Sequence, residues 1–421
     1  MPLAERFHGT RVFAGAAKAR PIATEDYSTI GAVVIAPNAD PDFFPLNTAV
    51  TVFTADAEAR AALGTGGTVD AVWDAIDDQA NEYFGSAELQ VVRVAEGAGA
   101  NQQAILEATM ANIIGSGANL SGVHAFKVPE KKAKLYIVPG YTSQRISNAA
   151  NPVVAELRSI AARNRGIIIA DMPNTTKDAA ATYRADFADE KRLYGIDPHV
   201  LVSGAGGATV VQPASGRVAG LFVRRDKTEG GPHVSPSNQS IGGIVGPARP
   251  VAYYTGDPDS EANWLNQHNI ATIRAGGRLW GNDTFALDPL NRYVNVVRTE
   301  DAIDAAVAKA FEWAMDANLN IPLAVAIVQS LDAFLSDAAV RGWIISGRVS
   351  FDPDVNSSAN MVSGQLTIDY DREPYAPLND LQFRASRNPD YYDLVVDGIK
   401  RAVEQINART RRLIYGINLT Y

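Results

Sequence analysis

Ser203 to Val210 reads SGAGGATV. Gly204 and Gly206 match the first half of the G-x-G-x-x-G fingerprint, which wraps a pyrophosphate at a helix N-terminus. Thr209 stands where the third glycine belongs, and the residues that follow read as a strand and the loop QPASG, so the stretch is read as a plain glycine loop. GTGGT, Gly64 to Thr68, lacks the Lys-Ser/Thr ending of a phosphate-binding loop. The histidines are His8, His124, His199, His233 and His268. No two are four residues apart, and none forms H-E-x-x-H, so neither a metal site nor a catalytic triad is read from spacing. Serines lie beside glycines, but no G-x-S-x-G elbow occurs. Asp74, Asp77 and Asp78 sit on one helical stretch and read as solvated surface. Catalytic, cofactor-binding and metal-ligating residues are therefore expected to be none.

A basic cluster carries more information. Lys400, Arg401, Arg409, Arg411 and Arg412 stand against a single Glu404, a local charge of five minus one in a chain whose formal net charge is -9. It reads either as favourable charge at a helix C-terminus or as a docking face for an acidic partner. Beyond it the chain ends RTRRLIYGINLTY, in which Leu413, Tyr415, Ile417, Leu419 and Tyr421 alternate with other residues. That period-two pattern predicts a strand with no partner after it.

The elements that would position these groups divide the chain. At about 150 residues per domain, 421 residues predict two to three domains. With 46% hydrophobic and 20% charged residues, the composition is that of a globular protein. The acidity argues against a nucleic-acid binder, which needs a basic face. The absence of cysteine excludes disulfides, thiolate metal sites and Cys nucleophiles and fits a reducing cytoplasm. Neither a signal-peptide core nor a run of about 18 apolar residues is seen, so no membrane insertion is expected. Strands are predicted at STIGAVVIAP, NTAVTVF, ELQVVRV, KAKLYIV, RGIIIAD, HVLVSG and GRVAGLFVRRD. Helices are predicted at TVDAVWDAIDDQANEYF, QQAILEATMANII, NPVVAELRSIAARN and TTKDAAATYRADFADEKRLYG. Alternation of this kind predicts an α/β region with a parallel or mixed sheet. The last third reads as α+β. NRYVNVVR is a strand leading into a long helix, IPLAVAIVQSLDAFLSDAAVRG a second helix, and WIISGRVSFDP and MVSGQLTIDYDREP two strands. GIKRAVEQINARTRRL has helical spacing.

Three motifs in order are familiar: PHVSPSNQSIGGIVG (232–246), with a strand at its IGGIV, then NIATIRAGGRLWGNDTFALDP with NRYVNVVR (269–298), and GRVSFDPDVNSSANMVSGQLTIDYDREPYAPLNDL (347–381). With HGTRVFAG near the start, they resemble the tail sheath proteins of contractile-tailed phages and R-type bacteriocins. The resemblance implies a subtilisin-like α/β middle domain, an α+β C-terminal sheath domain, and extended N- and C-terminal arms that donate strands to neighbouring subunits. The implied boundaries are an N-terminal arm 1–27, an N-terminal subdomain 28–100, the middle domain 101–286, the C-terminal domain 287–400, and a basic helix with donor strand 401–421. Arg11, Val12, Phe13, Leu413, Tyr415, Ile417, Leu419 and Tyr421 are the expected strand donors, and stretches near 344–351 and 362–370 the acceptors. Lys400, Arg401, Arg409, Arg411 and Arg412 are the expected contact with the tail tube. The acidic helix over 300–317, with Asp301, Asp304, Glu312, Asp316 and Lys309, is second choice.

The resemblance further implies a structural subunit, not an enzyme. Its partners would be itself in hexameric rings, the tail tube protein, and baseplate and tail terminator proteins. It would act in a virion tail or bacteriocin particle assembled in the bacterial host cytoplasm. The alternatives are a cytoplasmic α/β enzyme using a glycine-rich cofactor loop and a surface protein with a donated strand.

Overall fold

The structure is a computed structural model that describes residues 20–81 and 84–417. It divides into two compact units, one ending at Pro377 and the other running from Leu378. In the first unit, chain order is β1 (Ile30–Ile35), β2 (Ala49–Phe53), α1 (Ala57–Leu63), α2 (Val69–Asp77), β3 (Glu88–Val94), α3 (Gln102–Ile114), β4 (Leu135–Ile137), α4 (Pro152–Asn164), β5 (Ile167–Asp171), α5 (Lys177–Ala185) and β6 (Leu193–Ile196). These six strands form one sheet in the order β2-β3-β1-β4-β5-β6. It is parallel apart from β2, which pairs antiparallel with β3. Both faces are covered. Ile30, Ala32 and Val34 point into one hydrophobic cluster, Val33 and Ile35 into another. Burial on both sides explains why β1 and β5 read as unbroken apolar runs. The expected boundary at 100/101 falls inside this sheet, because β1–β3 and β4–β6 share it; 28–100 is not a separate layer.

The chain continues through β7 (Val200–Ser203), β8 (Thr209–Gln212), α6 (Ser215–Glu229), β9 (Gly246–Pro247), α7 (Glu261–Gln267), β10 (Thr272–Arg274) and β11 (Arg278–Trp280). Next come α8 (Val294–Ala310), α9 (Ile321–Val340), β12 (Ile344–Ser350), α10 (Ser358–Val362) and β13 (Asp369–Pro374). A third cluster joins α8, α9 and β12 around Ile303, Leu331, Phe334, Leu335 and Trp343. Among the described helices, α9 is the one long and apolar enough to cross a membrane, a length of apolar chain not expected from the sequence. The second half of that helix is fixed in the third cluster.

Several elements differ from expectation for identifiable reasons. GRVAGLFVRRD is not a strand but lies in α6. Its cap is non-local: Asp171 Oδ1 accepts from the amides of Ala214 and Ser215 at 2.7 and 2.8 Å. Its glycines, poor helix formers, are needed because a Cβ on Gly216 would lie 2.1 Å from the Ala71 carbonyl oxygen of α2. NRYVNVVR is not a strand; Val294 to Arg298 are all buried in α8, so no helical stripe shows. α5 stops at Ala185, and LYG, the end of the expected helix, opens β6. The helix over TVDAVWDAIDDQANEYF ends at Asp77. A turn at Gly243 interrupts the strand expected over IGGIV, and a regular strand forms only after it, at Gly246–Pro247.

In the second unit α11 (Tyr392–Ile417) is the sole long element. It crosses the expected boundary at 400/401. It also overturns the strand expected from Leu413: Leu413 to Ile417 are helical. Alternation over five residues cannot separate a strand from the end of a helix whose apolar residues recur every three and four. Leu419 and Tyr421, like Arg11, Val12 and Phe13, lie outside the described residues.

Candidate functional site

The chemistry-bearing residues singled out in the sequence sit in structural roles. SGAGG is the turn of the β7–β8 hairpin, closed by Gly204 N donating to Ala208 O at 2.7 Å. Gly206 and Gly207 have φ of 69° and 80°, which favours glycine. A helix does follow, contrary to expectation, but only after β8. GTGGT locks onto the end of β1, where Ile35 N donates to Thr68 Oγ1 at 3.0 Å. The histidines are dispersed. His268 stacks on Trp264 at 3.8 Å, His233 on Trp343 at 5.8 Å, and His124 lies 3.2 Å from Glu156. Burial and Lys127 lower the His124 pKa against the pull of Glu156. Among the described residues no three His, Asp or Glu side chains group as a metal site. Asp74 and Asp78 are not free surface acids, since they pair with Arg60 at 3.0 Å and Arg217 at 2.8 Å. They line an open cleft of ≈ 510 Å³ whose carboxylates thus already have cationic partners.

Three features suit assembly better. The first is the small sheet of β12 and β13, antiparallel from Ile344↔Pro374 to Ser350↔Asp369. Each strand pairs only with the other among the described residues, so each keeps one edge of unpaired backbone groups, the template for a further strand. The sheet is held close to α9 because position 347 is glycine: a Cβ there would lie 3.2 Å from Leu335 Cβ. Tyr370 donates to Asp304 Oδ1 at 2.6 Å and Arg372 to Asp304 Oδ2 at 3.0 Å. The second expected acceptor is displaced: 358–362 is α10, and the strand starts at Asp369.

The second feature, not foreseen in the sequence, is a strap over residues 20–28. Arg20 N donates to Ser330 Oγ at 2.8 Å, and its guanidinium lies 4.0 Å over the Trp313 ring. Glu25 reaches Lys134 and Lys309, each at 3.4 Å. Asp26 meets Lys227 at 3.3 Å and Lys131 at 3.5 Å. Burial alone would raise the Asp26 carboxyl, but the Ser28 hydroxyl and amide and the two lysines bring it down to about 2. Tyr27 is buried, which pushes its phenol up. Its carbonyl accepts from Arg298 Nη2 at 2.9 Å. Arg298, itself 1% exposed, grips Asp226 of α6 with two bonds of 3.0 and 2.5 Å and lies 4.9 Å from the Phe222 ring centre. Burial pushes the Asp226 carboxyl up to about 6 against the pull of Arg298. A parallel clamp joins Arg192 to Asp301, with one bond at 2.8 Å. The strap's signal was charge density, E-D-Y-S between apolar runs, but its partners lie 105 to 310 residues away.

The third feature is α11. Lys400, Arg401, Arg409 and Arg411 are exposed along it, and Arg412 belongs to the same helix. The second-choice acidic helix is less available: Asp301 is clamped by Arg192, Asp304 by Tyr370 and Arg372, and Lys309 by Glu25, which leaves Glu312 and Asp316 exposed.

The comparisons with known proteins agree with an assembly role. Residues 111–282 match the family described as phage tail sheath protein central domain, and residues 287–386 the phage tail sheath C-terminal domain. A putative prophage major tail sheath protein of Pseudomonas aeruginosa (strain UCBPP-PA14) is 32% identical over 401 residues, covering 93% of this chain and 99% of that protein. The tail sheath protein of Escherichia phage P2 is 28% identical over 407 residues, covering 94% and 99%. Among solved structures, the sheath of the extracellular contractile injection system PVC in its contracted state superposes with a TM-score of 0.66 at 13% identity, covering 92% of this chain and 99% of that one. The contracted helical sheath of the anti-feeding prophage gives 0.63 at 16% identity, covering 91% and 100%.

Proposed function

This chain belongs to the phage tail sheath family, and from that premise we propose how it builds and works a contractile sheath. It is a structural subunit of a contractile tail sheath rather than an enzyme, acts in a phage tail, and assembles with itself and with a baseplate. The finer reading is that subunits stack as hexameric rings around a tail tube, capped by a terminator and assembled in the bacterial host cytoplasm. The middle of the chain is taken as the subtilisin-like part of the sheath fold. The observation that carries the reading is the β12–β13 sheet, whose two outer edges pair with no further strand among the described residues.

A strand donated by a neighbour satisfies the unpaired amides and carbonyls of such an edge. The N-terminal donor is centred on Arg11, Val12 and Phe13. The C-terminal donor is Leu413, Tyr415, Ile417, Leu419 and Tyr421, and this role requires the last turn of α11 to unwind as it pairs. Ordering an arm costs about 1–2 kcal/mol per residue, so arms order only when a neighbour's sheet receives them. Extended links between subunits let rigid bodies slide while staying joined. Contraction is then the release of a kinetically trapped array into a better-packed one, with tube and baseplate contacts setting the barrier. Lys400, Arg401, Arg409, Arg411 and Arg412 are the proposed tube contact. Electron microscopy of the purified full chain tests the reading. Helical tubes wider than a bare tail tube are expected, and a chain that stays monomeric at high concentration and with tube present overturns it.

A further inference from the structure

One stripe of residues on α11 recurs four and three apart: Tyr392, Val396, Ile399, Val403, Ile406 and Thr410, of which only Thr410 is polar. A 3.5-residue repeat held over this length is the pattern of a seam that packs on another helix, knob into hole. The seam is open: Ile399 is 60% exposed and Ile406 63%. A single helix in water is marginal without a packed apolar face, so the seam needs a surface to cover it. Lys400 and Arg409 stand at its borders, while Arg401 and Arg411 fall outside it.

A matching surface exists on α9. From Ala317 to Leu331 the chain has no charged residue. The second half of α9 is committed to the core through Leu331, Phe334, Leu335 and Ala338. The first half is not: Ile321 is 80% exposed and Val325 41%, and with half-buried Val328 they repeat the same four-and-three spacing. Exposed carboxylates of Glu312, Asp316 and Asp332 bracket this stripe, opposite in sign to the residues that border the seam.

Symmetry selects the pairing. In a polar array every contact joins two unlike surfaces, whereas a self-complementary pair of α11 helices needs a two-fold axis between neighbours, which subunits repeated around a ring do not have. We propose that in the assembled sheath the α11 seam of one copy docks on the uncharged first half of α9 of a neighbouring copy, with Lys400 and Arg409 toward Glu312, Asp316 and Asp332 and the tube contact left to Arg401 and Arg411, which fall outside the seam. This rests on the sheath reading above and adds to strand exchange a second, helix-on-helix link between subunits.

The chain has no cysteine, so introduced thiols report single sites. Subunits carrying only Val325→Cys are mixed with subunits carrying only Ile406→Cys, assembled, and treated with a short bis-maleimide. Val403→Cys, on the same seam, replaces Ile406→Cys if that variant does not assemble. The expected result is a crosslinked dimer in tubes, at least several-fold more abundant than with Gln405→Cys, which lies outside the seam, and absent from unassembled subunits. Tubes that form but crosslink equally with both overturn the docking and leave the sheath reading standing. Failure of the unsubstituted chain to form tubes overturns the sheath reading and the docking with it.

Discussion

Arg298 is the residue on which the strap, α6 and α8 converge. It holds the Asp226 carboxylate with two bonds and the Tyr27 carbonyl with a third, all out of water. Removing one member of a buried pair leaves a charge with no partner, which costs about 3–5 kcal/mol, whereas replacing both by apolar groups of similar volume is close to neutral. Arg298→Met alone is therefore expected to destabilise the unassembled subunit by about that amount, and Arg298→Met with Asp226→Leu to recover most of the loss, read by urea unfolding. Equal destabilisation by the single and double variants would show that the bond to Tyr27, not the pair, dominates. None of this was legible in the sequence. Arg298 stands in an apolar run, YVNVVR, and its partners are 72 and 271 residues away.

At the scale of elements, legibility followed periodicity. β1, β3, β5, α4 and α9 were plain because each has a pure pattern and local caps, such as Asn151 on α4 and Asn320 on α9. α6 was hidden because its cap comes from the end of β5 and its glycines exist for contact with α2. The first turns of α8 were hidden because β-branched residues buried on all sides mimic a strand. The basic end of α11 was legible in composition, but its last turn was not. Reversing charge at Arg401 and Arg411 to Glu is expected to slow tube-templated assembly at least tenfold while leaving self-assembly into tubes within about threefold. Light scattering with and without purified tail tube distinguishes the two, and equal loss in both would move these residues to a contact between sheath subunits.

For the whole molecule, the family was readable from three motifs in order, and it carried the α/β body and the α+β end. The motifs could not show that 28–100 and 101–196 share one sheet, because parallel partners such as Ile30 and Leu135 are joined only through long crossovers. Assembly tests how the terminal segments act on this body. Removing residues 413–421 is expected to leave a folded subunit, with a melting temperature within about 2 °C because chain ends contribute little to a domain's stability, that forms rings or short stacks but no long tubes. Normal tube length in electron micrographs would rule out a donated C-terminal strand.

The strap has a mechanical consequence. A pull on the arm proposed above would enter the body at Arg20, be shared with Glu25 and Asp26, and reach the sheet at β1, an inner strand with parallel neighbours on both sides. A strand drawn lengthwise between two neighbours loads its hydrogen bonds together in shear, whereas a strand peeled from an edge gives way one bond at a time. The strap works like a cleat on a rope, holding the line ahead of the mast. In a sheath joined by such arms, tension would load β1 in shear rather than by peeling, and the subunit would travel as a unit when the line is hauled.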